Sequence, residues 1–290
     1  MSIVVNTNVS SMLLQRSLST AASGVQGSLE KLSTGYKINK AADDAAGLTI
    51  SESLKAQTRG SAVAQSNAQT GVNLLQTAEG DLSVIMDNLQ RIRDLSVQGA
   101  NGTNGTAERG AIKAEVAQRA SEISRIANSS AFNKIKLLNG TQSTLALQIG
   151  PNYSPGNVSL NTITIGSPLG SASATALGIN SGSKVGSGSF LDDAFSTSGK
   201  VSSFIAKIDT AISTVTTRRT TIGSLQSRLE SSIQSLSIRQ ENMSASESRI
   251  RDVDVAKEAA SLTKNQILQQ ASTSLLAQAN QAPNVALSLI

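Results

Sequence analysis

The sequence predicts a mainly α fold, in which the N- and C-terminal segments form a long coiled-coil or helical-bundle rod with a small β-hairpin-rich central region. Aromatic residues make up only 2% of the 290 residues although hydrophobic residues make up 39%, so aliphatic side chains must fill the core, which suits closely packed helices. A seven-residue apolar repeat runs through the C-terminal half. Residues 1–150 and 169–282 lack helix-breaking prolines, which lie at Pro151, Pro155, Pro168 and Pro283.

The N-terminal half contains three apolar ladders with the three- and four-residue spacing of one helix face. The ladders are Leu18, Ala22, Val25, Leu29, Leu32 and Tyr36; Leu75, Ala78, Leu82, Ile85, Leu89 and Ile92; and Ile112, Val116, Arg119, Ile123 and Ile126. Two Asn-Gly dipeptides between Asn101 and Thr106 predict a turn between the second and third ladders. We therefore expect the helices on either side of this turn to fold back antiparallel.

The centre of the chain is uncharged from residue 137 to residue 183 and is rich in Ser, Gly, Thr and Asn. Apolar and polar residues alternate in 145–150 and in 158–166, and a segment with two prolines separates these runs. The pattern predicts a β-hairpin. The Gly/Ser-rich segment that follows, up to Ser189, is expected to be a solvent-facing loop, because this composition is more typical of linkers than of binding sites.

One long helix is predicted from Val201 to Ile250. Positions at alternating three- and four-residue spacing are apolar along this segment, except at Arg219, Gln226, Gln240 and Glu247. A repeat of this length is typical of the seam of a coiled-coil helix. Together the two halves predict four or five long helices in a rod-like bundle.

Both ends of the chain are uncharged: no charged side chain precedes Arg16 and none follows Lys264. Burying the apolar side chains of residues 265–290 returns about 20 kcal/mol, whereas ordering this tail costs about 40 kcal/mol. We therefore expect both ends to be disordered or loosely helical in the monomer, and to become ordered when they pair and many copies pack together. The alternative is that they form the two edge helices of one globular bundle.

Composition excludes several classes of function. The chain has no Cys and no His, so a thiol nucleophile, a disulfide, a Cys/His zinc site and an imidazole base are all excluded. A net charge of +5 comes from scattered basic residues, which argues against nucleic acid as a partner. No apolar run is long enough to span a membrane, and the N-terminus lacks the basic region of a Sec signal peptide. We expect neither an enzyme nor a cofactor.

Asp43 and Asp44 form the one acidic pair that could suggest a metal site. Two carboxylates are too few, since Ca²⁺ typically takes six to eight oxygen ligands. We interpret this pair as capping or terminating a helix next to Gly47.

Several segments resemble bacterial flagellins. The most specific one runs from Leu32 to Ile50 and reads LSTGYKINKAADDAAGLTI. The N-terminal half also contains VNLLQTAEG (72–80), LQRIRDLSVQ (89–98), Phe132-Asn133 and LNG (138–140), and the C-terminal half contains Asn242-Met243, SESRIRDVD (246–254) and LAQANQ (276–281). These segments follow the order of the family over roughly 1–140 and 200–290.

The resemblance implies a self-polymerising subunit of the flagellar filament of a motile bacterium. It implies that residues 1–40 and 251–290 form the coiled-coil filament core, that 41–140 and 200–250 form a helical shell, and that 141–199 form a short variable outer region. The implied location is extracellular, after type III export. The implied partners are further copies of the chain, an export chaperone, and the cap and hook–filament junction proteins.

Two groups of site residues follow from the same resemblance. Gln90, Arg91, Leu95 and Glu115 match the positions that flagellins present to the animal Toll-like receptor for flagellin, and Glu30 to Ser51 matches the stretch recognised by the plant receptor. The residues expected to pack in assembly are Leu18, Val25, Leu29, Leu32, Leu268, Leu275, Leu276, Val285, Leu287 and Leu289. Two alternatives remain at this point: a hook–filament junction protein, and a surface adhesin or secreted enzyme on a flagellin-like stem.

Overall fold

A computed structural model describes residues 7–142, 144–152, 161–166, 169–179 and 190–287, with the backbone alone for Phe190 and for 282–287. Within these residues the helices are α1 (Val9–Thr34), α2 (Ala45–Ala100), α3 (Thr106–Ser129), α4 (Phe190–Ala194), α5 (Ser198–Arg251) and α6 (Val255–Leu287). The strands are β1 (Ala131–Phe132), β2 (Ile135–Lys136), β3 (Leu145–Gln148) and β4 (Thr162–Ile165). The mainly α prediction is therefore confirmed.

The chain forms two compact units, which we call the terminal unit (Met1–Ala56 with Glu241–Ile290) and the central unit (Gln57–Gln240). In the central unit, α2 and α3 are antiparallel on either side of the Asn-Gly turn, because Arg91 contacts Glu115 while Asn88, earlier in α2, contacts Arg119, later in α3. The second ladder is fully buried throughout. The third ladder is buried except at Arg119. The Arg119 side chain is exposed, and the neighbouring Ala120 is buried in the core instead.

α5 confirms the predicted long helix, and every position of the predicted repeat is buried or partly buried. Its apolar stripe is wider than a coiled-coil seam, because Phe204, Ala211 and Leu225 are buried as well. A wider stripe is expected where a helix packs on a multi-element core instead of on one partner helix. Arg93 of α2 donates to Asp209 of α5 over 2.7 Å.

The predicted β-hairpin is present, with β3 and β4 antiparallel and Leu145 opposite Ile165. Ile163 and Ile165 are buried in the same core as α2, α3 and α5. The hairpin packs closely on α2 at Gly71, where an added Cβ would lie 2.3 Å from Cδ1 of Leu147 and that leucine side chain would have to move. The described part of the predicted loop does not face solvent as expected, because its apolar side chains are buried in the same core: Leu169, Ala172, Ala174, Leu177 and Ile179. Residues 158–160 of the predicted second run, and residues 167–168 and 180–189 of the predicted loop, lie outside the described residues.

In the terminal unit, α1 and α6 pack against each other as an antiparallel pair. Near the start of α1, the Asn8 side-chain amide donates to the carbonyl of Ala279, and the Ser11 hydroxyl donates to Oδ1 of Asn280, both over 2.9 Å. α1 ends at Gly35, whose φ of 76° is the left-handed cap that glycine adopts without strain. The predicted pairing of the two uncharged ends is confirmed, while order arising only on assembly stays a prediction.

Candidate interaction surfaces

The α1/α6 pair leaves large apolar side chains uncovered. Met12 is 63% exposed, Leu13 is 59% exposed and Ile267 is 60% exposed. We call the whole set the terminal apolar residues: Val9, Met12, Leu13, Leu29, Val255, Ile267, Leu268 and Leu275. Single exposed apolar side chains are ordinary on a protein surface, but a set along one helix pair that is nearly free of charge is typical of an interface.

The predicted assembly residues fall into two groups. Leu29, Leu268 and Leu275 are 45–50% exposed. The other described members are partly buried in the terminal unit: Leu18, Val25, Leu32 and Leu276. Val285 and Leu287 lie on α6 with only their backbone described, and Leu289 lies outside the described residues. Their role in assembly stays a prediction, but the exposed group is the one with surface left for a second chain.

The two segments that resemble flagellins most closely, around Tyr36 and around Arg251, meet in the terminal unit. The Lys37 amide donates to the carbonyl of Arg251 over 2.7 Å, and the Val253 amide donates to the carbonyl of Gly35 over 3.0 Å. These two bonds join the turn after α1 to the short link between α5 and α6. Sequence spacing gave no signal for this contact, because more than 200 residues separate its two sides.

The Arg251 side chain makes two further interactions at this contact. Its guanidinium lies 4.5 Å from the centre of the Tyr36 ring, and its Nη1 donates to Oε1 of Glu52 over 2.6 Å. A cation–π contact of this kind contributes about 0.5–2 kcal/mol. Arg251 therefore ties together α1, α2 and the end of α5.

The acidic pair caps a helix, as predicted. Asp44 Oδ1 accepts the Gly47 amide over 2.8 Å at the start of α2. Asp43 Oδ2 accepts the amides of Lys40 and Asn39 over 3.0 Å each, and these two bonds lower the pKa of the Asp43 carboxyl. A hydrogen bond and ion pair with Glu30 raise the pKa of Lys40 in turn. All these charges stabilise the turn that precedes α2.

The four predicted animal-receptor residues divide between the surface and the core. Gln90, Arg91 and Glu115 reach the surface, and Arg91 Nη2 lies 2.9 Å from Oε1 of Glu115. Leu95 is only 3% exposed and belongs to the core of the central unit. The structure therefore joins Arg91 and Glu115 in one polar patch, with Leu95 underneath the surface.

A half-buried cation, Arg218, was not predicted from the sequence. Arg218 of α5 donates through Nη1 to the carbonyl oxygens of Gly170 and Ser171, over 3.0 and 2.9 Å. Burial lowers the pKa of this guanidinium. Arg218 fastens the segment after β4 to α5. In the sequence, Arg218 is visible only as a second cation beside Arg219 in the apolar repeat. That position does not indicate which residues it contacts.

Comparison with known proteins gives a consistent result. A family model for the bacterial flagellin N-terminal helical region matches residues 5–143, and one for the C-terminal helical region matches residues 205–290. The "flagellar filament 33 kDa core protein" of Treponema phagedenis is 40% identical over 295 residues, covering 99% of both chains. "Polar flagellin A" of Vibrio parahaemolyticus serotype O3:K6 is 38% identical over 375 residues, covering all of both chains.

One solved structure has a similar fold at low identity. It is assigned to a flagellar hook-associated protein of Vibrio parahaemolyticus, with a TM-score of 0.56 and 17% identity over 72% of this chain and 100% of that one. At this identity the similarity concerns the fold alone. No helix among the described residues is long and apolar enough to cross a membrane.

Proposed function

The chain belongs to the bacterial flagellin family, and on that premise we propose that it is a structural subunit that polymerises through its two ends into the helical filament of the bacterial flagellum. The observation that carries this proposal is the uncovered α1/α6 pair. Its terminal apolar residues leave large aliphatic side chains exposed, and no charged residue precedes Arg16 in α1 or follows Lys264 in α6. Burying such a surface between copies is the favourable term in a homopolymer.

The premise also supports a structural rather than a catalytic role, and an extracellular location on the flagellum. We assign residues 1–40 and 251–290 to the filament core, 41–140 and 200–250 to a helical shell, and 141–199 to the outer surface. The two family matches support this division, since they leave residues 144–204 outside. Before assembly, the uncharged ends are disordered and an export chaperone covers the C-terminal one; the cap and junction proteins are the other partners.

Seeded growth of the full-length chain tests the proposal. The purified full-length chain, heated to its monomeric state and mixed with short flagellar filament fragments as seeds, is expected to grow into long uniform tubes under the electron microscope. A hook–filament junction protein would add only at filament ends, and an adhesin or enzyme on a similar stem would stay monomeric. Either of these results would contradict the proposal.

The Arg91–Glu115 patch is the part of the molecule that supports a second role, as a ligand of the animal flagellin receptor. The arginine and the carboxylate are both accessible and fixed by their ion pair. The exposed turn within residues 30–51 supports a corresponding role for the plant receptor.

Substituting Arg91→Ala in the monomer is expected to raise the concentration needed for half-maximal activation of the animal receptor by about tenfold, because arginines in interfaces are frequent hot spots. The free energy of unfolding should change little, since an exposed ion pair contributes about 0–1 kcal/mol to stability. The matched control is Arg93→Ala, which removes a similarly exposed ion pair, to Asp209. A dose-response curve that the two substitutions shift equally would contradict the receptor assignment.

A further inference from the structure

Three Asn-Gly-Thr triplets occur in the chain, at 101–103, 104–106 and 139–141. Asn-Gly is the dipeptide in which the backbone nitrogen of glycine most readily attacks the asparagine side chain, because no Cβ hinders the approach. Since the local sequence is the same at all three, an unfolded chain should modify them at similar rates. Differences between them in the folded protein must come from the structure.

We propose that the fold promotes self-modification at Asn139. The reaction is deamidation: solvent base removes the Gly140 amide proton, the Gly140 nitrogen bonds to Cγ of Asn139, and the bond from Cγ to Nδ2 breaks with release of ammonia. Water then opens the resulting cyclic imide at one of its two carbonyls. The sum is asparagine plus water giving aspartate or isoaspartate plus ammonia.

The side-chain oxygen of Asn139 carries the developing negative charge in this reaction, and two donors already point at it. The Thr141 amide donates to Oδ1 over 3.0 Å, and the Thr141 hydroxyl donates to the same atom over 2.6 Å. Preorganised donors at a developing oxyanion are a strong source of rate acceleration in acyl chemistry. They also polarise the Cγ carbonyl towards attack.

The attacking nitrogen at this site is available to solvent. Gly140 is exposed, and within the described part of the chain its amide donates to no acceptor. Its φ of 81° lies in the left-handed region, which a glycine occupies easily.

The glycine amides of the other two triplets, at Gly102 and Gly105, are equally exposed and donate to no acceptor among the described residues, so the sites differ in the donors at the asparagine side chain. At Asn101 a single donor, the Thr103 amide, reaches Oδ1 over 3.3 Å. At Asn104 no donor among the described residues reaches Oδ1, and the side-chain nitrogen donates to the carbonyl of Gln98 over 2.5 Å. The expected order of rates in the folded protein is therefore Asn139, then Asn101, then Asn104.

Conversion at Asn139 falls next to a structural contact. Leu138 is fully buried, and its carbonyl accepts the Ala172 amide over 2.8 Å. Isoaspartate would lengthen the main chain by one methylene beside this bond, and both products add a negative charge. The fraction of converted Asn139 would therefore increase with the age of the protein. The conversion would be irreversible, and it would lie where the segment after β4 packs against the helical core.

The test follows all three sites by peptide mass spectrometry while the full-length chain ages in mildly alkaline buffer. Trypsin separates Asn139 from the other two sites, because cleavage at Lys136 and Lys184 releases Asn139, whereas cleavage at Arg93 and Arg109 releases Asn101 and Asn104 on one peptide. Fragmentation of that shared peptide in the mass spectrometer distinguishes Asn101 from Asn104. In denaturant we expect similar rates at the three sites. In the folded protein Asn139 should convert about tenfold faster than Asn104, given the size of oxyanion-donor effects.

Two matched variants identify the cause. Thr141→Val removes the hydroxyl donor and should slow conversion of Asn139 severalfold in the folded protein but not in denaturant, whereas Thr141→Ser keeps the donor and the rate. Thermal unfolding curves of both variants check that the fold is retained. Equal rates at Asn139 and Asn104 in the folded protein, or an unchanged rate in Thr141→Val, would overturn the proposal.

Discussion

Deleting residues 271–290 is expected to abolish polymerisation and to leave the central unit folded. The deletion removes Leu275 and Leu276, together with the partners of Asn8 and Ser11 at the start of α1. The N-terminal part of α1 then has no helix to pack against. It should become disordered, because burial of its apolar side chains no longer offsets the loss of conformational entropy on ordering. Among the described residues none beyond Ile233 belongs to the central core, so the unfolding of the central unit should be unaffected.

Electron microscopy of the truncated chain after seeding shows whether it polymerises. Thermal unfolding followed by circular dichroism shows whether the central unit stays folded. A suitable control replaces exposed polar residues of the same segment, Gln278→Ala and Gln281→Ala, without shortening it. The control should still polymerise. Filaments formed by the truncated chain would refute assembly through the C-terminal end.

The second large effect is expected from the double substitution Leu268→Gln and Leu275→Gln. These side chains lie seven residues apart on one face of α6 and are 45% and 50% exposed. Completing the burial of each in a filament returns about 1 kcal/mol, since full burial of a leucine returns about 1.5–3 kcal/mol. Losing both should raise the critical concentration for polymerisation about thirtyfold.

Leu276→Gln is the matched control, since Leu276 neighbours Leu275 but is partly buried in the terminal unit. It should lower the residual helix content of the terminal segments in the monomer, measured by circular dichroism, whereas the double substitution should leave that helix content nearly unchanged. Sedimentation of polymer over a range of protein concentrations gives the critical concentration. A double variant with the critical concentration of the parent chain would contradict the assignment of this face.

The long elements were predictable from the sequence because their periodicity is local. The buried positions of α2 and α5 repeat every three or four residues, so one face of each helix could be identified without knowing its partner. The turn at Asn101 and the hairpin at Leu145 were predictable for the same reason, since turn residues and alternation act over a few positions. Arg119 was misplaced because periodicity alone does not distinguish the edge of an apolar stripe from its centre.

The interaction surfaces were less predictable because they depend on contacts between distant segments. Leu95 shares a face with Arg91 by spacing, yet the core of the central unit covers it while Arg91 remains outside. Arg251 and Arg218 are ordinary cations in the sequence. Their importance lies in partners, Tyr36 and Gly170, that no spacing rule relates to them.

The sequence by itself determined the helices, the central hairpin, the lack of thiol and imidazole chemistry, and the uncharged ends, because each depends on residue type or on neighbours a few positions away. Only the tertiary structure decided which leucines of the ends stay exposed, how the Tyr36 and Arg251 segments meet, and which Asn-Gly-Thr triplet has two donors on its side-chain oxygen. Exposure and hydrogen bonding depend on which distant segments pack together. That packing is settled by the burial of the whole apolar surface rather than by any local pattern.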